Sequence, residues 1–174
     1  MTDGMVLPRG AGQTIGAAGL GVTLKVSAEQ ARSASSFELV VSPGFDVGAH
    51  VHSQLEELFY VVEGELDLLA FEPQVRTAGN WQAWRSRAGD RVVRGGPGTL
   101  MFVPTGCPHA FANPGTTVAR VFFYAAPLGH ERYFEELGEI LSRGGPPDRE
   151  AIAALRIRYD TEQLTPLIPA HAHS

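Results

Sequence analysis

From about Ser36 onward the chain is a succession of short β-prone runs, and this punctuation limits its folds more than any other feature. The runs are FELVVS (37–42), ELFYVVEGELDLLAF (57–71), TLMFVP (99–104) and ARVFFYAAP (119–127), with Pro and Gly turns between them. Branched and aromatic side chains suit a half-buried pleated surface, and several such runs in series predict a sandwich or barrel. The 57–71 run is too long for one flat strand. Glu63-Gly64-Glu65 places a glycine in its middle, so it is expected to fold back as a hairpin. Twenty Gly and 12 Pro in 174 residues argue against a helical bundle. The length suits one compact domain.

The ends differ in texture. Residues 1–32 are rich in Gly, Ala and Thr without clear periodicity and are expected to form an arm that adds an edge strand. The barrel is expected over 33–127, with 72–97, which carries Trp81 and Trp84, as a polar loop or extra hairpin over its mouth or as a plain surface excursion. Over 128–160, Tyr133, Phe134, Leu137, Ile140 and Leu141 recur at helical spacing; a second short helix follows Pro146-Pro147, with Asp148 as N-cap and Ile152, Leu155 and Tyr159 as its stripe. Both helices are expected to pack on the barrel. Residues 161–174 form a tail, in which His171 and His173 lack strand context and are expected to be disordered.

A net charge of -5 and scattered arginines leave no footprint for a phosphate backbone, and no helix-turn-helix is apparent, so nucleic acid is not an expected partner. No apolar stretch reaches membrane-spanning length. One cysteine and the lack of a secretory pattern at the start suggest a reducing, cytoplasmic setting.

The chemistry is concentrated in two segments. The first runs from Gly44 through His50-Val51-His52 and Glu57 to Gly64. Strand residues two apart face one side, so His50 and His52 present two imidazoles to one space, and Glu57 adds an anionic oxygen. The second runs from Gly98 through Pro104, Gly106 and His109 to Asn113, with a turn at Pro104-Gly106 that brings His109 inward. Alternation places Glu57, not Glu56, on the inward side with Phe59. Cys107 reads as a small residue packed in the turn, in preference to a fifth ligand or redox group. His130 is explained by helix capping or solvent exposure and is not a ligand candidate.

These segments match G-x5-H-x-H-x4-E-x6-G and G-x5-P-x-G-x2-H-x3-N, the two signatures of the cupin family, at every fixed position and gap. The chain therefore resembles the metal-binding monocupins over about 37–127. The resemblance implies an all-β fold, a double-stranded β-helix or jelly-roll barrel with two short C-terminal helices, usually built into a dimer. It also implies one divalent transition metal ion (Fe, Mn, Ni, Co, Cu or Zn) held by His50, His52, Glu57 and His109.

Stepping by two from the ligands gives Phe59, Val61, Phe111 and either Met101 or Phe102 as pocket walls, an apolar and partly aromatic lining suited to a flat or hydrophobic organic molecule. The opposite face of that strand, Leu58, Tyr60 and Val62, is also apolar and calls for a covering layer: a partner subunit, the arm or the helices. Three functions are open. One resembles the quercetinase-like dioxygenases, whose bacterial members share the ligand motif and a helical extension, here starting PLGHERYFEELGEIL; the metal chelates a flavonol- or diketone-type substrate and Glu57 is the base. The second is a metal-assisted cyclase or isomerase of a polyketide-like substrate. The third is a non-enzymatic small-molecule binder. Redox-active metals favour the first and zinc the second.

Overall fold

The computed structural model describes residues 3–15, 19–143 and 148–170. Among these, eleven strands form two sheets. In chain order the strands are β1 (Gln13–Thr14), β2 (Leu20–Val26), β3 (Ser35–Val41), β4 (His50–Val51), β5 (Glu56–Glu63), β6 (Leu66–Ala70), β7 (Val93–Gly95), β8 (Leu100–Val103), β9 (His109–Ala112), β10 (Ala119–Ala126) and β11 (Glu162–Gln163). Two helices, α1 (His130–Leu141) and α2 (Arg149–Arg158), lie between β10 and β11. The larger sheet runs β1-β2-β3-β10-β5-β8 and the smaller β11-β4-β9-β6-β7, all antiparallel. The architecture is an all-β jelly roll with two short C-terminal helices.

Alternation explains the layering. On β3, Ser35, Phe37, Leu39 and Val41 are buried and the residues between them are not. On β10, Ala119, Val121, Phe123 and Ala125 do the same. These inward residues meet Leu66, Leu68, Ala110 and Phe111 of the smaller sheet in one apolar core. The contact is direct: the rings of Phe59 and Phe111, one from each sheet, have centroids 5.5 Å apart.

The 57–71 run is not a hairpin. β5 and β6 belong to different sheets, and the turn between them carries the chain from one layer to the other. The reason lies in burial: both halves of the run carry core residues, and each finds its neighbours in a different layer. Gly64 makes the passage with φ +75°, and a Cβ there would lie 2.7 Å from the Val118 carbonyl oxygen and 2.8 Å from Ala119 Cα. Near the start of the chain, β2 is a seven-residue strand with Leu20, Val22 and Leu24 buried, and β1 extends the edge beyond it. Within 72–97, Trp81 and Trp84 are buried, and Trp81 Nε1 donates to both carboxylate oxygens of Asp46 at 2.9 and 3.0 Å. This stretch ends as β7 against β6.

The helices pack on the barrel through their apolar stripes. Phe134 meets Phe37 edge to face at 5.2 Å, and Tyr133 and Leu137 are buried beside it. Burying each of these side chains favours the docked helix by roughly 1.5–3 kcal/mol. At the start of α1, Glu131 accepts hydrogen bonds from Ser35 Oγ (2.6 Å), the Ala28 amide (3.0 Å) and the Gly129 amide (3.2 Å). Asp148 caps α2 by accepting from the Ala151 amide at 3.0 Å. The chain then turns back, and β11 pairs with β4, so the strand bearing His50 is flanked by β9 and β11. Pro146, Pro147, His171 and His173 lie outside the described residues.

Candidate metal centre

Four buried side chains converge inside the barrel. His50 opens β4 and His109 opens β9, and the two are register partners with ring centroids 4.1 Å apart. His52 lies just beyond β4, its ring 5.1 Å from that of His50 and 5.2 Å from that of His109. Glu57 reaches in from the facing sheet, with Oε2 2.8 Å from His109 Nε2 and Oε1 3.4 Å from His52 Nε2. One donor atom from each of the four lies within 4.8 Å of all the others.

The imidazoles are oriented by a common device. His50 Nδ1 lies 2.8 Å from the Gly48 carbonyl, His52 Nδ1 2.9 Å from that of Asp160, and His109 Nδ1 3.0 Å from that of Cys107. A carbonyl only accepts, so each Nδ1 carries the proton and donates it, and each Nε2 turns a lone pair inward. His52 Nε2, His109 Nε2 and Glu57 Oε2 are buried without a hydrogen-bond partner among the described residues. Lone pairs facing one another at these distances repel unless a cation stands between them. Three neutral nitrogens and one carboxylate, with no thiolate, fit a divalent transition metal ion.

Burial and neighbouring groups shift three of the four side chains. Burial, reinforced by His109, His52 and Arg156, holds His50 well below the ordinary histidine value, so it is neutral. Burial alone would raise Glu57, but His109 and then His52 beside it outweigh that and hold it well below the usual carboxylate range. Burial likewise acts to lower His52, and Glu57 outweighs it and raises that group.

Further residues fix the loops around the ligands. Asp160, at φ 54°, accepts from the Ser53 and Gln54 amides at 2.9 and 2.8 Å and from Ser53 Oγ at 2.7 Å, which holds the turn after His52. The Gly106 amide donates to the His52 carbonyl at 2.7 Å. Asn113 donates to the carbonyls of Val41 and Thr117 and accepts from the Gly115 amide, a structural role.

The motif spacing, the barrel and the converging ligands decide the family. Residues 22–135 match the Cupin family profile. The chain belongs to the cupin family.

Among curated proteins none is significantly similar to this cupin. Solved structures share its fold. The polyketide cyclase RemF from Streptomyces resistomycificus is 24% identical, with a TM-score of 0.54 over 72% of this chain and 80% of that one. A predicted oxalate decarboxylase from Thermotoga maritima is 19% identical, with a TM-score of 0.47 over 63% of this chain and 81% of that one. The Cnp3 cupin domain of Schizosaccharomyces pombe is 13% identical, with a TM-score of 0.46 over 62% of this chain; the match spans 64% of that chain, under two thirds of its length.

Beside the ligands of this cupin lies a cavity of about 30 Å³, lined by Phe59, Phe111, Phe123, His130, Tyr133 and Arg156 among others. That is room for an ion and a water or two. A groove of about 620 Å³ runs outside it past Gln54, Leu55, Leu128, Tyr159 and Asp160, and His130 lines both spaces. No residue of 72–97 lines either space.

Of the four expected wall residues, Phe59 and Phe111 line the cavity and Val61 and Met101 do not. Val61 is fully buried, but it lies one inward step beyond Phe59. Met101, and not Phe102, faces the core; it sits on β8, across β5 from β10 and β3, whose Phe123 and Leu39 do line the cavity. The expectation for His130 is corrected as well. It is buried, not solvent-exposed, and Gly129 occupies the cap position. Its Nε2 lies 3.9 Å from Glu57 Oε1, and burial depresses its pKa to about 4. Cys107 is half-buried outside the ligand set, and burial raises its thiol.

Proposed function

We propose that this cupin is a metal-dependent dioxygenase acting on a hydrophobic or aromatic small molecule with adjacent hydroxyl or keto oxygens, of flavonol or diketone type. The observation that carries the proposal is the ionised, buried Glu57 carboxylate, set among imidazole lone pairs at the end of an aromatic-walled cavity. A divalent metal held by His50, His52, Glu57 and His109 would supply Lewis acidity to a substrate oxygen and, if redox-active, a path for electrons to dioxygen.

The protein's own groups do the rest. Glu57 takes a proton from the substrate hydroxyl or the carbon beside its carbonyl, leaving an enolate. Phe59, Phe111 and Phe123 wall the reacting end with aromatic rings. His130 is neutral at pH 7 and lines both groove and cavity, able to hydrogen-bond a substrate oxygen. The groove, within the range of ordinary ligand sites, takes the body of the molecule. The enolate carbon would then bond one atom of dioxygen and the other would attack the neighbouring carbonyl carbon, the O–O bond and the bond between the two carbons breaking so that both oxygen atoms enter the product.

The same enolate supports a second reading, suggested by the polyketide cyclase among the structural relatives. With zinc bound, it would close on a carbonyl of its own molecule without consuming oxygen. Metal content of the purified protein, followed by oxygen-electrode assays on flavonols and 1,3-diketones with each metal restored, separates the readings. Oxygen uptake with a redox-active metal is expected. No uptake with any metal would sink the dioxygenase reading, and conversion of a polycarbonyl without oxygen would establish the cyclase in its place.

A further inference from the structure

Among the apolar walls of the cavity stands one permanent positive charge. Arg156, on α2, is only 2% exposed. Its Nη2 donates to the Val47 carbonyl at 3.2 Å, while Nε and Nη1 have no acceptor among the described residues. Nor does any carboxylate among those residues lie within ion-pair distance of it. A guanidinium does not lose its proton inside a protein, so this is a full charge with N–H groups unanswered, an arrangement that is costly unless something completes it.

Its position says what that is. Arg156 lines the same cavity as His50, His52 and Glu57, and among the described residues Glu57 is the only acidic one of that lining. With a divalent ion in the ligand set, Glu57 offsets part of the ion's charge and Arg156 adds more of the same sign. The cavity is then short of negative charge, and its residues have no more to give. The guanidinium's planar fork of donors suits a carboxylate or enolate oxygen.

We infer that Arg156 is the anion receptor of this cavity, and that the molecule bound there presents a negatively charged oxygen, as carboxylate or enolate, on a small head group. The unanswered Nε–H donates to that oxygen. The inference rests on the metal-site reading above and narrows its substrate from any oxygen-bearing organic molecule to an anionic one. The cavity of about 30 Å³ admits only the head, so the body of the molecule lies in the groove that His130 also lines.

The test uses zinc-loaded protein titrated calorimetrically with acetate and with acetamide, which has the same shape without the charge. Wild-type protein is expected to bind acetate at least about tenfold more tightly, and R156M to lose that preference while still holding one zinc. Equal binding of the two probes by wild-type protein overturns the inference. So does an undiminished preference in R156M, because the anion then answers to the zinc alone. If R156M fails to fold, the wild-type protein still decides: the Arg156 Nε–H resonance shifts on adding acetate and not acetamide, and an unmoved resonance overturns the role. Failure of wild-type protein to take up zinc is a separate result. It would sink the metal reading, and the same titrations on the zinc-free protein would still decide the role of Arg156.

Discussion

At the residue scale, His50, His52 and His109 are set by one arrangement, a main-chain carbonyl holding Nδ1 so that Nε2 faces the centre. Each ring is thus replaceable only by loss. His50→Ala, His52→Ala and His109→Ala are each expected to abolish stoichiometric metal binding, measured by elemental analysis, while far-ultraviolet circular dichroism still reports a folded barrel. Full occupancy in any of the three would show that the ligand set is misassigned. The convergence of these side chains with Glu57 was legible because the spacing is local: two residues apart on one segment, five more to the carboxylate, and a turn before His109. Arg156, His130 and Asp160 were not, since only the tertiary fold brings them near. A signal for two of them existed. His130 falls on the stripe of Tyr133, Phe134 and Leu137, and Arg156 on that of Ile152 and Tyr159; a polar residue on a buried helix face needs a reason to be there.

At the scale of elements, the docking of α1 depends on Glu131 as well as on its aromatic face. The carboxylate gathers Ser35, the Ala28 amide and the Gly129 amide, tying the first turn of the helix to β3 and to the β2–β3 connection. Burial acts to raise its pKa, but the Ser35 hydroxyl and the amide hydrogen bonds outweigh that and lower it below 4.5. A carboxyl depressed in the folded state contributes stability that is present above the unfolded value and lost as pH falls through the folded one. Glu131→Ala is therefore expected to cost about 1.5–3 kcal/mol at neutral pH in urea unfolding. The gap from wild type should narrow as the pH is taken below 4.5. A gap independent of pH would show that the carboxylate charge plays no part. The elements themselves were readable from their runs, but the relation of β5 to β6 was not. A glycine between two β-prone runs signals a reversal, and nothing local says whether the second run returns beside the first or crosses to another layer.

At the scale of the whole molecule, the larger sheet keeps an apolar outer face. Phe122, Tyr60 and Leu100 form one row across β10, β5 and β8, and Tyr124, Leu58 and Phe102 form the next. All but Leu58 are exposed. The helices pack elsewhere, so among the described residues neither they nor the strands at the start of the chain cover this face. Lys25, Arg120, Glu38 and Glu63 place both signs of charge beside it, which suits a surface pairing with its own copy. We propose a homodimer through this face. Sedimentation should give about twice 18.7 kDa, and Phe102→Glu should return the monomer; a wild-type monomer at high concentration would rule it out. No described helix is long and apolar enough to cross a membrane. The frame around the ligands depends on the last segments of the chain to be made. The Asp160 carbonyl orients His52, and β11 flanks the strand of His50. The ribosome must therefore have passed Gln163 before that frame around the ligands can close, whereas the four ligands themselves have all been joined to the chain by His109. An ion bound there at full affinity would thus wait for a late stage of synthesis, and a chain stalled within α2 would carry all four candidate ligands without the frame that orients them.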